Sequence, residues 1–479
     1  MGTQMFIAGA WSDALSGATV EATSPASGQS LGPVANGDRA DAQRALDAAA
    51  QAFPAWADAT PFERARFMHR IGEICERRRD DLARMLTLDQ GKPLHAEAYD
   101  EVDELVIFWH MAAEDAVRLE GTLPPSAFPG KRVLVMRRAR GPIGVITPWN
   151  WPYTMPAELV APALACGNTV VWTPAPSTAV CSALLAECIV EADLPPGVFN
   201  FVTGPGPVVG DEIAGSPRTA GVGFIGSTRT GRLVAQRAAG KALLLEMGGN
   251  GPLVVMDDAD LEEAVAAAIT GCFLCAGQSC TASERLLVHD AVREEFVALL
   301  AEEVGRRIRL GDPFDAATTM GPLNNEATAT KMDEHVADAL ERGAVLVAGG
   351  ARVSGFPTDL YWAATILDQV PPGALAATEE TFGPIAPVVE IASLDEAIAH
   401  TNASPYGLLS AIFTRDLFAA LRFAERVRSG TVNINTTTNH WESHLPFGGG
   451  AGTASGIGRV GGRYPMETFT ELRTVIISA

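Results

Sequence analysis

The sequence predicts an α/β fold of two layered units, each a largely parallel sheet covered by helices. Three observations predict it. The chain has 479 residues, too many for one hydrophobic core, so two or three domains are expected. From 140 to 255, short β-rich runs (GVITPW, NTVVWT, FNFVTG, GVGFIG, ALLLEM, PLVVM) alternate with helical pieces such as STAVCSALLAECIVEA and TGRLVAQRAA. That alternation is the pattern of a parallel sheet with both faces covered. Residues 256–430 repeat it with LEEAVAAAITGCFLCAG, ERLLVH, AVREEFVALLAEEVGRR, ATILDQV, APVVEIAS, LDEAIAHTN, SAIFT and LFAALRFAERVRSG. The apolar centre, near 245–280, falls where the two units meet.

Taken in order, residues 38–118 read as helices. The first opens at Asp38, a plausible N-cap, and carries apolar residues at helical spacing. TPFERARFMHRIGEICERRRDDLARMLTLDQGK starts with Thr-Pro and ends at Gly91. AEAYDEVDELVIFWHMAAEDAVRL is a third helix. KRVLVMRRARGPIGVITPW then reads as strand, turn, strand. The tail, ELRTVIIS, is a β-prone strand without an evident partner in the sequence.

Composition narrows the function. A net charge of -21 would repel a phosphate backbone, so nucleic acid is not an expected partner. No apolar run is long enough to span a bilayer, so no membrane partner is expected either. Seven cysteines at 75, 166, 181, 188, 272, 275 and 280 are an odd, scattered set. With a start, MGTQMFIAGAW, that lacks a signal-peptide pattern, they point to a reducing cytoplasm rather than a disulfide framework.

FLCAGQSCTASER raises the question of chemistry. Cys272, Cys275 and Cys280 have no nearby histidine and no second cysteine pair, so no metal site is expected. His440 and His444 are four apart, but NTTTNHWESHLP is not helical in character and reads as a loop. Cys272 and Cys275 belong to an apolar helix and read as small buried hydrophobes. Cys280 lies outside that run, on a turn where it is either an ordinary buried thiol or a nucleophile facing a cleft. A nucleophile attacking a carbonyl needs an oxyanion donor, and a base if water completes the reaction. Asn150, in PWNWP, is such a donor or a turn-forming residue. Glu246, at the end of an apolar strand, is a paired carboxylate or a base whose pKa burial raises. GFIGSTRTG runs from a strand into a helix start at Ser227, where backbone N–H groups suit a phosphate.

Together these residues resemble the NAD(P)-dependent aldehyde dehydrogenase superfamily. PWNWP (148–152), GSTRTG (226–231), EMGGNGP (246–252), GQSCT (277–281), EETFGP (379–384) and LPFGG (445–449) stand in the family's order over nearly the whole chain. The resemblance implies two Rossmann-like parallel α/β domains plus a small β oligomerisation element. The dinucleotide-binding domain would be 1–119 and 139–246, and the catalytic domain 247–446. The oligomerisation element would be a hairpin at 120–138 with 447–479, its last strand completing a neighbouring subunit's sheet in a homodimer or homotetramer. Cys280 matches the nucleophile, Glu246 the general base and Asn150 the oxyanion donor. Glu380 and Phe382 match residues that hold the nicotinamide ribose; Trp149, Gly226 and Ser227 match dinucleotide contacts. Substrate-tunnel positions would be Trp151, Met155, Glu158, Ser279, Thr281, Trp441 and Phe447.

The implied reaction oxidises an aldehyde to a carboxylic acid with NAD(P)+. Cys280 attacks the carbonyl, the thiohemiacetal loses hydride, and water activated by Glu246 hydrolyses the thioester. The sequence also departs from the family. Thr173 replaces a lysine and Pro176 a glutamate that contact the adenosine ribose, which leaves NAD or NADP open. Glu158 stands where an arginine would suit a distal carboxylate. With three aromatic tunnel residues, this favours an apolar or aromatic aldehyde, with a semialdehyde as the alternative. The rival readings are a cofactor-independent cysteine thioesterase or acyltransferase, and a silent relative that keeps the fold.

Overall fold

A computed structural model describes residues 2–478. Two sheets carry the architecture. The first holds eight strands, in the order Gly456–Ile457, Ala242–Met247, Gly221–Gly226, Pro142–Ile146, Thr169–Thr173, Phe199–Phe201, Met5–Ile7 and Ala10–Ser12. Its five central strands are parallel. The second holds seven strands, from Val345–Ala348 at one edge through Thr365–Asp368, Ile385–Ile391, Ser283–His289, Gly251–Val255 and Leu409–Phe413 to Thr431–Ile434. All but the first of these run parallel. The central strands read as unbroken apolar runs because helices cover both faces. The chain passes from the first sheet to the second between Met247 and Gly251.

The order of the first sheet fixes where a ligand can bind. From Pro142–Ile146 the chain winds one way through Thr169–Thr173 and Phe199–Phe201, and the other way through Gly221–Gly226 and Ala242–Met247. The crevice between Pro142–Ile146 and Gly221–Gly226, beyond their carboxyl ends, is the switch point at which such sheets bind ligands. Pro148, Trp149, Asn150, Gly226 and Ser227 line that crevice. The amino ends of the second sheet face it, so Cys280, just before strand Ser283–His289, arrives opposite.

Several local expectations change. The run ending at Gly91 is two helices, Pro61–Arg77 and Arg79–Gln90. The charge order explains the break: Arg77 sits in the last turn of one, Asp80 and Asp81 in the first turn of the next, each favourable to its helix dipole. Gly91 does close the second helix in the left-handed conformation, φ 98°. Cys275 leaves the helix expected to hold it. That helix ends at Phe273, and Cys275 and Ala276 take φ 53° and 52°.

The 120–138 segment is not a regular hairpin. Its one strand, Lys131–Ala139, has a single bridge to Thr122 and pairs along its length with Thr470–Ser478 of the same chain. The tail therefore finds its partner internally, through nine paired positions of alternating β-prone residues. Nor does 447–479 stand apart as a whole, because Gly456–Ile457 joins the first sheet beside Glu246. Residues 1 and 479, the outer limits of two expected domains, lie outside the described residues.

Candidate active site

Cys280 and Glu246 stand where two cavities meet. One, of about 310 Å³, is lined by Trp149, Asn150, Gly226, Ser227, Lys331, Glu380 and Phe382. The other, of about 240 Å³, is lined by Trp151, Glu158, Ser279, Thr281, Trp441 and Phe447. Met155, Ile225, Glu246 and Cys280 face both. The structure thus gathers twelve of the cofactor and tunnel positions around one thiol. Thr173 and Pro176 do not line either cavity. Thr173 ends its strand, buried, its hydroxyl without a partner among the described residues. Pro176, exposed, opens the short 3-10 turn Pro176–Thr178 just beyond the carboxyl end of the same strand.

Local structure explains each placement. Glu246 is carried on the strand Ala242–Met247, in register with Ile225 and Gly456. Two glycines follow because the backbone must pass between side chains. An added Cβ at Gly248 would collide with the Glu380 carboxylate, and one at Gly249 with the Cys280 carbonyl oxygen. The Cys280 loop hangs from the left-handed turn at Cys275–Gly277. The buried Glu97 carboxylate accepts from the Cys275 N–H at 2.9 Å, and Asn324 N–H donates to the Gln278 side-chain oxygen at 2.9 Å. Asn150 is buried, and its amide donates to the Gln278 carbonyl at 3.0 Å, which leaves its second N–H uncommitted. The Cys280 backbone N–H has no acceptor among the described residues. Two donors are therefore available for an oxyanion beside the sulfur.

The electrostatics are those of an acidic pocket. Burial raises the Glu246 carboxyl to about 8, partly offset by a hydrogen bond with Cys280; one of its oxygens has no partner. Burial, then the neighbouring Glu246 charge, pushes the Cys280 thiol well up. A carboxyl poised near neutrality beside a thiol, at the junction of two cavities, is suited to general-base work.

On the other wall, Glu380 accepts from the Gly249 N–H at 2.9 Å, and Phe382 meets Trp149 edge to face at 5.5 Å. Phe382 has φ 59°, a strained conformation for a bulky residue. The buried Glu284 carboxylate pins it, accepting from Thr381 and Phe382 N–H at 2.9 and 2.7 Å. This cavity, at the carboxyl ends of the first sheet, fits the nicotinamide end of a dinucleotide, with Glu380 to hold a ribose and helix Thr228–Arg237, capped by Ser227, to face phosphate.

Sequence reading missed five contributors. Glu104 lines the tunnel and Lys331 the other cavity. Glu284 and Glu97 hold loops, and Asn439 accepts from Thr281 at 2.7 Å. None of the five stands in a motif that marks it, because each acts through contacts distant in sequence. Among the described residues no cluster of histidine, cysteine and carboxylate side chains could hold a metal, and no helix is long and apolar enough to cross a membrane. His440 and His444 lie in an irregular loop, outside the tunnel lining.

Comparison with known proteins gives the same picture from another direction. The family described as "Aldehyde dehydrogenase family" matches residues 11–475. The NADP(+) succinate-semialdehyde dehydrogenase of Escherichia coli (strain K12) is 39% identical over 477 residues, 99% of this chain and 97% of that protein. A glutarate-semialdehyde dehydrogenase of Pseudomonas aeruginosa is 40% identical over 472 residues, 98% and 96% of the two chains. A crystal structure of succinate-semialdehyde dehydrogenase from Burkholderia pseudomallei superposes with a TM-score of 0.97 at 37% identity, covering 100% of this chain and 98% of that one.

Proposed function

The chain belongs to the aldehyde dehydrogenase family, an NAD(P)-dependent enzyme family, and from that premise we propose that Cys280, Glu246 and Asn150 carry the oxidation of an aldehyde to a carboxylic acid. The observation that carries this reading is the position of Cys280 and Glu246 at the junction of the two cavities. A substrate carbonyl entering from the tunnel meets sulfur there. Asn150 and the Cys280 N–H face the oxygen as charge develops on it; one such donor is typically worth about 3 kcal/mol of barrier. When bound, NAD(P)+ supplies the hydride acceptor, with Glu380, Phe382 and Trp149 to hold its nicotinamide end. Loss of hydride from the thiohemiacetal carbon leaves a thioester on Cys280. Glu246 takes a proton from water, the hydroxyl displaces sulfur, and the acid leaves. The net change is aldehyde, NAD(P)+ and water to carboxylate, NAD(P)H and two protons.

In this reading the unit around the first sheet binds the dinucleotide and the unit around the second carries the nucleophile. Thr173 and Pro176 flank the adenosine end, where neither a cation nor a carboxylate decides between NAD and NADP. Trp151, Trp441 and Phe447 suit the hydrocarbon body of the substrate, and the names of the relatives favour an aldehyde that is polar at its far end. The exposed ribbon of Lys131–Ala139 and Thr470–Ser478 supports association into a homodimer or homotetramer, because its outer edges still have unpaired backbone groups. Seven unbridged thiols support a cytoplasmic setting.

The experiment is absorbance of reduced nicotinamide on mixing the protein with a panel of aldehydes and each cofactor, beside Cys280→Ala. Signal from the parent and none from the variant is the expected result. Ester cleavage without any dependence on cofactor would replace this reading with a thioesterase or acyltransferase.

A further inference from the structure

The far wall of the tunnel is acidic and holds no cation. Glu158, from helix Thr154–Ala165, is 8% exposed, and its carboxyl has no hydrogen bond or ion pair with any described residue. It faces the cavity that reaches Cys280, beside Glu104 from helix Tyr99–Ala116. Among the described residues, no arginine, lysine or histidine lines that cavity. The buried Lys92 is already committed: its ammonium pairs with Glu101 at 2.5 Å and sits over the Trp151 ring. Trp151, Trp441 and Phe447 line the same cavity. Trp441 packs 5.3 Å from Phe447 and stacks 6.0 Å from Phe108.

Resting on the aldehyde dehydrogenase reading, we infer that this tunnel selects aldehydes carrying a cationic group, an ammonium or alkylammonium, a few atoms from the carbonyl. A carboxyl buried without a partner is costly, and a ligand cation is the group that relieves the cost. Indole and phenyl faces add attraction for the same charge, and more so for an alkylated ammonium. A distal carboxylate would meet the Glu158 and Glu104 carboxyls with no cation to pair with, only neutral donors such as Ser279, Thr281 and Asn439. Burial raises both carboxyls, Glu104 to about 7 with the Glu101 charge adding to it, and Glu158 well above the usual carboxylate range with Glu104 and Glu246 adding to it. Each is therefore ready to give up its proton when a positive charge arrives. The substrate class differs in sign from the semialdehydes of the relatives' names.

The test compares four aldehydes of similar length on the full-length protein with NAD+ and with NADP+: β-aminopropanal, γ-(trimethylammonio)butanal, butanal and succinate semialdehyde. The quaternary compound is included because its nitrogen cannot cyclise onto its own carbonyl. A cationic aldehyde should exceed both others in kcat/KM by about tenfold or more. Glu158→Gln should shrink the ratio of cationic to neutral kcat/KM by a similar factor, and Glu158→Arg should move succinate semialdehyde to first place. Glu104→Gln provides a second variant, expected to shift the same ratio in the same direction. Turnover in which butanal or succinate semialdehyde matches the cations overturns the inference while leaving the enzyme class intact. An unchanged ratio in both glutamine variants also overturns it. Absence of reduced cofactor with all four aldehydes, where a wider aldehyde panel is equally silent, would instead sink the dehydrogenase reading.

Discussion

The Asn150 side-chain amide donates to the Gln278 carbonyl at 3.0 Å, and this bond ties the switch-point loop of the first sheet to the loop that presents Cys280. This amide holds the loop that bears Cys280, and in the proposed mechanism its remaining N–H faces the oxyanion. Asn150→Ala should lower kcat by about 10²–10³, the usual cost of one oxyanion donor, with a much smaller change in KM for the aldehyde. Steady-state kinetics decides it; a loss under about tenfold, or one confined to KM, would reassign Asn150 to loop support.

Among the described residues, Glu246 is the only carboxyl that faces both cavities. Glu246→Gln should therefore give a burst of reduced cofactor, close to one per site, followed by a stall. The thioester forms but water is no longer activated. In the parent enzyme the hydrolytic step should quicken as pH rises through about 8, where the carboxyl loses its proton, and the residual turnover of the variant should lack that dependence. Stopped-flow absorbance across pH reads both. Steady turnover by the variant at the parent rate would remove Glu246 from the mechanism.

Much of this site was legible because each motif carries its own constraint. Glu246 was visible as a lone carboxylate closing an apolar strand, and Gly248 and Gly249 follow from the crowding that its neighbours impose. Cys280 was marked by standing outside the apolar run that buries Cys272. The rest depends on contacts distant in sequence. Nothing near residue 284 foretells that its carboxylate pins Phe382, nor does Lys92 reveal its partner nine residues on. The partner of the C-terminal strand was missed for a related reason. Strand pairing between Lys131–Ala139 and Thr470–Ser478 joins segments more than 300 residues apart, and β-propensity names a strand without naming its neighbour.

Lys92 and Glu101 form an ion pair with no solvent exposure, and Glu101 also accepts from the Tyr153 N–H at 2.9 Å. Removing the cation leaves a buried carboxylate beneath the loop that positions Trp151. Lys92→Met should cost about 3–5 kcal/mol in urea unfolding. The double variant Lys92→Met, Glu101→Gln should lose distinctly less, because the amide oxygen still accepts from Tyr153 and no charge is stranded. Equal losses in the single and double variants would mean that packing of the lysine stem, not its charge, is what matters.

The buried carboxyls also set how stability varies with pH. Burial raises Asp89 to about 6, Glu97 and Glu104 to about 7, and Glu246 and Glu284 to about 8. For each, the folded protein keeps its proton to a higher pH than the unfolded chain, whose carboxylates titrate near 4. Between those limits the folded state binds more protons, so stability falls as pH rises. His335 works in the opposite sense: burial lowers it to about 4, so its contribution grows up to the unfolded histidine value near 6.5 and is constant above it. The interval from about 6.5 to 8 therefore isolates the carboxyls. Thermal unfolding without added cofactor should show Tm falling steadily across it, with a shallower fall at its upper end in Glu246→Gln. A Tm that rises across this interval would mean that these carboxylates are ionised and well paired in the folded protein. The account of a proton-holding site around Cys280 would then be wrong.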